Sequence, residues 1–379
     1  MFLRKFSMEP PILRRATEYQ DKGRLFQGIP GVETIKGRRI FVSFYANHIP
    51  GEGPGNFAVL CASDDCGRNW REELHILPPD AVSRVYDPVP WLAPTGQLWF
   101  FWSQCHSVKL CDCFDGRAGV WTAVCNDPLA KKLQWSSPRR IADGVMMNKP
   151  EVLKDGSWLL PVALWSINPK KLSKEQVAMA RPNILLTKDE GRTFELRPGP
   201  DIPGRTVDEH VVTELHDGTL WLLARTRYGI GQSFSQDGGV SWSAPEDSGL
   251  GGPNSRFALR RLQSGRLCLV NHQTRHGLPG ENTSKTREKL TAWLSDDEGK
   301  SWYGRLLLDG RENVSYPDIK EDEDGFIYAV HDHDRLRYGQ ILLSRFTERD
   351  ISAGMMITPG SFAQMTVSAL SPEMQCQKK

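Results

Sequence analysis

Nine residues before each of six candidate hairpin glycines (Gly37, Gly96, Gly156, Gly218, Gly265 and Gly325) stand Gly28, Asp87, Met147, Glu209, Arg256 and Tyr316. A second set follows the strand after each turn: His48 with Glu52, Gln104 with His106, Trp165, Arg225 with Arg227, His272, and the run from His331 to Arg335. Strand positions of this kind ordinarily take Val, Ile or Thr. Here they are mostly ionisable, amide or aromatic. Tyr316 and Glu209 would make a nucleophile and base, because a phenol is neutral until a neighbouring carboxylate takes its proton. Arginines give planar, two-point contacts to a carboxylate, and Arg225, Arg256 and Arg287 are the candidates. Asn148 and Lys149 follow Met147 directly, and His210 follows Glu209.

Residues this far apart can meet only if the chain repeats a unit that returns each of them to one place. The stretch from Thr206 to Trp242 shows the unit. Two strands flank an Asp217-Gly218 turn, a third follows, and the segment ends in the octet Ser235-Gln236-Asp237-Gly238-Gly239-Val240-Ser241-Trp242. Asp-Gly between apolar runs is a strong hairpin signal. In the octet, the Asp can accept N–H groups of its own turn, Gly supplies a positive φ, and Trp can cover an edge between neighbouring sheets. The octet recurs from Ser63 to Trp70, from Thr187 to Phe194 and from Ser295 to Trp302, with a degenerate remnant near 126–135.

The turn glycines are spaced by 59, 60, 62, 47 and 60 residues. One supersecondary unit per period means a repeat architecture. Four-stranded units with an aromatic motif in each predict an all-β, six-bladed β-propeller of antiparallel blades. Hairpins of a sandwich have no reason to keep such spacing. The blades fall at about 26–75, 84–140, 144–195, 206–245, 253–305 and 313–348, so 1–379 reads as one propeller domain. Terminal segments would close the ring, either 13–17 or 362–369 pairing with the other end's blade. Insertions are expected at 105–118, 166–180 and 274–287, a helical turn at 346–351, and a disordered tail at 375–379. In each blade the first strand lies innermost, so both sets of polar residues face one mouth of the ring. Convergent polar groups at one end of a closed fold are the usual picture of a ligand site.

Composition sets the outer bounds. With 39% apolar residues and twelve Trp there is enough material for cores between blades. A net charge of +2 gives no sign of a nucleic-acid partner or a polybasic membrane tail. No apolar run reaches membrane-spanning length, and the first residues lack a secretory core, so a cytoplasmic location is expected. Eight cysteines, at 61, 66, 105, 111, 113, 125, 268 and 376, follow no disulfide framework. Cys111-x-Cys113 beside Cys105, Cys125 and His106 is too tight for a zinc template, and His331 with His333 lacks a third ligand. No metal or cofactor is expected.

At these residues the chain resembles the sialidase superfamily, the Asp-box (BNR-repeat) six-bladed propellers, over roughly 26–350. The resemblance implies that Glu209 opens blade four as the catalytic carboxylate, and that Arg225 ends the following strand. Arg287-Glu288-Lys289-Leu290-Thr291-Ala292-Trp293-Leu294-Ser295 matches the family's arginine before an Asp box. Ser315-Tyr316-Pro317-Asp318 sits where the family's nucleophilic tyrosine opens blade six. Two positions depart. The family's first arginine belongs to a Tyr/Phe-Arg-Ile-Pro motif, and Gly28 stands in its place before Ile29-Pro30. Its acid/base aspartate belongs to the loop that here reads Asn47-His48-Ile49-Pro50-Gly51-Glu52-Gly53, so Glu52 or His48 would take that role.

The resulting expectation is a glycoside hydrolase that releases a terminal acidic sugar, of sialic or uronic acid type, from a glycan. A carboxylate on the anomeric carbon would repel an Asp or Glu nucleophile but not a phenol. Arg225, Arg287 and Arg256 would hold the carboxylate, Arg256 replacing the missing arginine. Asp87, Lys149, Asn148, His106, His210 and Arg335 would contribute to binding. Two other readings use the same mouth. A uronate lyase would take its base and its carboxylate-neutralising cation from Tyr316, His106, His210, Arg225 and Lys149. A non-catalytic glycan-binding propeller would need no nucleophile at all.

Overall fold

A computed structural model describes residues 8–20, 23–35, 39–106, 114, 116–165, 172–205, 207–272 and 286–373. Gly37, Cys111, Cys113, most of the three insertions and the tail lie outside them. The chain forms an all-β, six-bladed propeller, each blade an antiparallel sheet built from contiguous sequence. The inner strands are Phe26–Ile35, Ser83–Leu92, Glu151–Val152, Val211–Glu214, Ala258–Arg261 and Val314–Glu321. Each pairs with the next strand in sequence, and so on outward.

The termini add to the outside of blades one and six. Ile12–Arg14 pairs with Arg71–Leu77 as a fifth strand of blade one. Phe362–Ser368 is the outermost strand of blade six, which therefore runs past residue 348. Neither terminal strand crosses into the other end's blade. The expected helical turn is the helix Glu348–Ala353, entered through a capping box in which Thr347 and Asp350 each satisfy the other's backbone N–H.

Apolar side chains collect between blades. Separate buried clusters join blades one and two, two and three, three and four, four and five, five and six, and six and one. A seventh, including Phe26, Tyr45, Tyr86, Trp165 and Tyr316, surrounds the mouth of the central channel. A blade buries its two faces only when it has neighbours on both sides, so burial itself drives ring closure.

The four Asp-box turns share one geometry. The opening Ser or Thr hydroxyl donates to the Asp at 2.8, 2.8, 2.8 and 2.9 Å in Ser63, Thr187, Ser235 and Ser295. The same Asp accepts the backbone N–H four residues on. The side chains of Asn69, Thr193, Ser241 and Ser301 also donate to it, and together these donors hold the carboxyls of Asp65, Asp189, Asp237 and Asp297 down at about 2. Both ends of the turn meet the adjacent blade: Trp70, Phe194, Trp242 and Trp302 pack against the clusters between blades, and so does the turn glycine. A methyl group on Gly191, Gly239 or Gly299 would stand 2.5, 2.2 or 2.5 Å from Trp99, Ile184 or Trp221 of the preceding blade. One on Gly67 would stand 3.0 Å from Leu343 of blade six.

Gly299 (φ +81) and Gly156 (φ +83) separate backbone from packing, since nothing lies within 4 Å of a methyl group at Gly156. Gly156→Ala should cost only the left-handed backbone penalty, ~1–2 kcal/mol. Gly299→Ala should lose a further ~1–3 kcal/mol by overpacking against Trp221. Urea unfolding of the two variants checks the difference.

Candidate functional site

Three inner strands carry the same local irregularity. The ladder slips between Gly28 and Gly31, between Tyr86 and Val89, and between Ser315 and Asp318. At each slip an X-Pro pair bulges out: Ile29-Pro30, Asp87-Pro88 and Tyr316-Pro317. Proline removes a ladder donor and denies the preceding residue the right-handed helical region. Ile29, Asp87 and Tyr316 take φ of 58, 51 and 57°, which costs a non-glycine residue about 1–3 kcal/mol. The bulge re-aims their side chains out of the strand's alternation. All three line one cavity of about 480 Å³.

The chemistry is concentrated on one wall of it. The Tyr316 hydroxyl donates to Glu209 Oε1 at 3.0 Å. Arg225 Nη1 donates to the same oxygen at 2.7 Å and to the phenol oxygen at 3.2 Å. Glu209 Oε2 is buried with no hydrogen-bond partner among the described residues. Two more guanidinium groups flank the phenol ring, Arg335 at 4.6 Å and Arg287 at 5.3 Å from its centroid. Asn254 links two of these cations, its side-chain oxygen accepting from Arg225 Nε at 2.6 Å and its carbonyl from Arg287 Nη2 at 3.1 Å.

Burial and then Glu209 push the Tyr316 phenol above its ordinary pKa, against the pull of the arginines. The resting phenol therefore keeps its proton and offers it to Glu209. Burial opposes charge on Arg225, but Glu209 and Tyr316 more than offset it, and its pKa rises. Arg335 is raised in the same way, by Asp332 and Tyr316 against burial.

Gly28 has a spatial partner. A methyl group there would lie 2.2 Å from Arg335 Cδ and 2.4 Å from its Cγ. Arg335, held by Asp332 at 3.5 Å, thus fills the space that the missing side chain at position 28 would need. Arg256 does not replace that arginine. It is buried deeper in the channel, donating to Asn148 Oδ1 at 2.8 Å and to the Pro30 carbonyl at 3.2 Å.

Asn148 and Lys149 belong to the same plug and do not line the cavity. Lys149 pairs with Asp318 at 2.8 Å and donates to the carbonyls of Val32 and Ile319. Asn148 donates to the His210 carbonyl at 2.8 Å. Asp318 also accepts the Val32 N–H at 2.9 Å. Burial would raise its carboxyl, but Lys149 and Arg256 bring it below the usual range.

The histidines lie elsewhere. The His48 ring lies 5.2 Å from that of Tyr19, tilted against it, and burial and then Arg24 lower its pKa. His106 meets Ser83 Oγ at 3.3 Å, and buried His210 faces the Asn183 carbonyl at 2.7 Å, its pKa pushed down to about 4. His331 and His333 are engaged by Asp309 and Gln340. Among the described residues no group of His, Cys, Asp or Glu could hold a metal. Glu52 does line the cavity, paired with Arg84 at 3.2 Å. The sequence assigns no role to Asn254, or to Asp318 and Asp332 within their runs, and the structure shows them holding other site groups.

Residues 44–329 match the BNR repeat-like domain family. The chain belongs to that family. No curated protein matches it by sequence. Its fold is similar to that of a Hadza microbial sialidase, at TM-score 0.64 and 18% identity over 82% of this chain. This chain spans 64% of that protein's length. An intramolecular trans-sialidase from Ruminococcus gnavus, in complex with oseltamivir carboxylate, gives TM-score 0.66 and 12% identity over 86% of this chain and 95% of its own. An α-L-arabinanase from Penicillium chrysogenum complexed with arabinobiose gives 0.58 and 12%, over 90% and 99%.

The plug can be tested by itself. Asp318→Ala would leave buried Lys149 and Arg256 without the carboxylate that pairs with both, and should lower unfolding free energy by about 3–5 kcal/mol in urea titrations.

Proposed function

We propose that the chain is a glycoside hydrolase that releases a terminal acidic sugar from a glycan, with Tyr316 as nucleophile. The hydrogen bond between the Tyr316 hydroxyl and Glu209, with Arg225 donating to both, carries the reading. The Tyr316 oxygen bonds to the anomeric carbon as the glycosidic C–O bond breaks; the phenolic proton passes to Glu209, and the alcohol leaves with a proton on its oxygen, giving a covalent glycosyl-tyrosine. Water then attacks that carbon and gives up a proton, the bond to Tyr316 breaks, and Glu209 returns its proton to the phenol oxygen. Neutral phenol suits a carbon that bears a carboxylate, and Arg225, Arg287 and Arg335 suit that carboxylate. A propeller neighbour that binds oseltamivir carboxylate, an acid, is consistent with this choice. The arabinanase neighbour binds a neutral sugar, so the cations of this site, rather than the fold, support an acidic one.

The test is a panel of sialosides and uronides, read for new reducing ends and for absorbance of an unsaturated product. Hydrolysis without absorbance is expected. Tyr316→Phe should reduce turnover to background, and Glu209→Gln should reduce it by about 10²–10⁴-fold. Unsaturated product would establish a lyase instead. Binding without turnover, unchanged in Tyr316→Phe, would establish a glycan-binding module.

A further inference from the structure

Breaking a bond to an unactivated sugar or alcohol needs a proton on the departing oxygen, and neither Tyr316 nor Glu209 is free to give one while they handle the nucleophile. Asp87 stands on the same kind of X-Pro bulge as Tyr316, at φ 51°, on blade two. Its side chain lines the cavity, is only 2% exposed, and has an oxygen, Oδ2, with no hydrogen-bond partner among the described residues. An unsatisfied buried carboxyl held in a strained backbone is costly. Asp318 by contrast is bonded to Lys149 and the Val32 N–H, and Asp350 to the Ile357 and Thr358 N–H groups.

We infer that Asp87 is the general acid and base of this site, giving its proton to the glycosidic oxygen and later taking one from water. The inference rests on the hydrolase reading. In the first step the glycosidic C–O bond breaks, the Asp87 proton leaves with the alcohol, and the Tyr316 oxygen bonds to the anomeric carbon. In the second step Asp87 carboxylate removes a proton from the attacking water, the C–O bond to Tyr316 breaks, and Asp87 is again protonated.

The surroundings suit a carboxyl that keeps its proton at neutral pH. Burial comes first, and two carboxylates, Glu52 and Glu209, face it, while Arg84 and Arg256 only partly compensate. Its pKa is held well above the ordinary value. Glu52 is placed differently, in an ion pair with Arg84 and about a third exposed, so its carboxylate already has a cation.

Two glycosides of one acidic sugar decide the matter, one with an alkyl or sugar leaving group and one with a nitrophenol that departs unprotonated. Asp87→Asn should lower kcat/KM for the first by about 10²–10⁴-fold and for the second by less than about tenfold. The alkaline limb of the wild-type pH profile should vanish in the variant. Stability guards against a folding artefact. A carboxyl whose folded pKa is raised loses stability as pH rises from its unfolded value, about 3.9, through the folded one. The amide escapes that loss, so Asp87→Asn should melt no lower than wild type at neutral pH. Equal losses on both glycosides, or a leaving-group dependence appearing in Glu52→Gln instead, would overturn the inference. If wild type cleaves no acidic glycoside at all, it is the hydrolase reading that fails.

Discussion

Two buried carboxylates on blade six, Asp318 and Asp332, accept backbone N–H groups of blade one, from Val32 at 2.9 Å and Ile29 at 2.7 Å. The rest of the site depends on this seam. Each blade is built from contiguous chain, so the first and last blades are joined by side chains and packing, with no strand shared between them. Gln27 adds contacts to the Gly339 carbonyl and Ser368. Asp332 does more than close the ring. It accepts from Ser315 at 2.8 Å, one residue before Tyr316, and it holds Arg335 over the phenol. One carboxylate therefore fixes the blade that carries Tyr316, the blade beside it, and a cation between them. Charges buried in this way are stable only when bonded, which makes the seam specific as well as strong.

Much of this was legible in the chain, for physical reasons. The Asp-box octets are local devices in which Ser, Asp and Gly satisfy one turn, so their recurrence reads directly as repeated turns. Period and strand count then gave the propeller, and the propeller brought Glu209, Arg225 and Tyr316 to one mouth although 107 residues separate the two ends of that hydrogen bond. Counting back from a turn was less dependable where strands bulge. In blade one it lands on Gly28, whereas the residue that matches Asp87 and Tyr316 in the ladder is Ile29. The repeated X-Pro pairs were a visible sign of those bulges.

What the sequence left open was which polar residues face the cavity and which face the channel below it. Arg256, Lys149 and Asn148 have the composition of a binding site and the contacts of a plug. The difference lies in Asp318, whose partners are two cations and a backbone N–H from other blades, and no local pattern announces such a partner. Gly28 is the converse case. Read alone it is a missing arginine; in three dimensions it is the space through which Arg335 reaches the phenol. Family likeness locates the mouth of the propeller, while the cations and carboxyls around it carry the argument about substrate.

The central claim is that a phenol, rather than a carboxylate, bonds to the sugar. An acidic glycosyl fluoride with a second fluorine next to the anomeric carbon slows release more than attack, so the covalent species accumulates. Peptide mass spectrometry after a rapid quench should then find the sugar's mass on the peptide containing Tyr316. A sugar carried by Glu209, Glu52 or Asp87, or product released in turnover with no sugar bound to the protein at any time, would contradict the account.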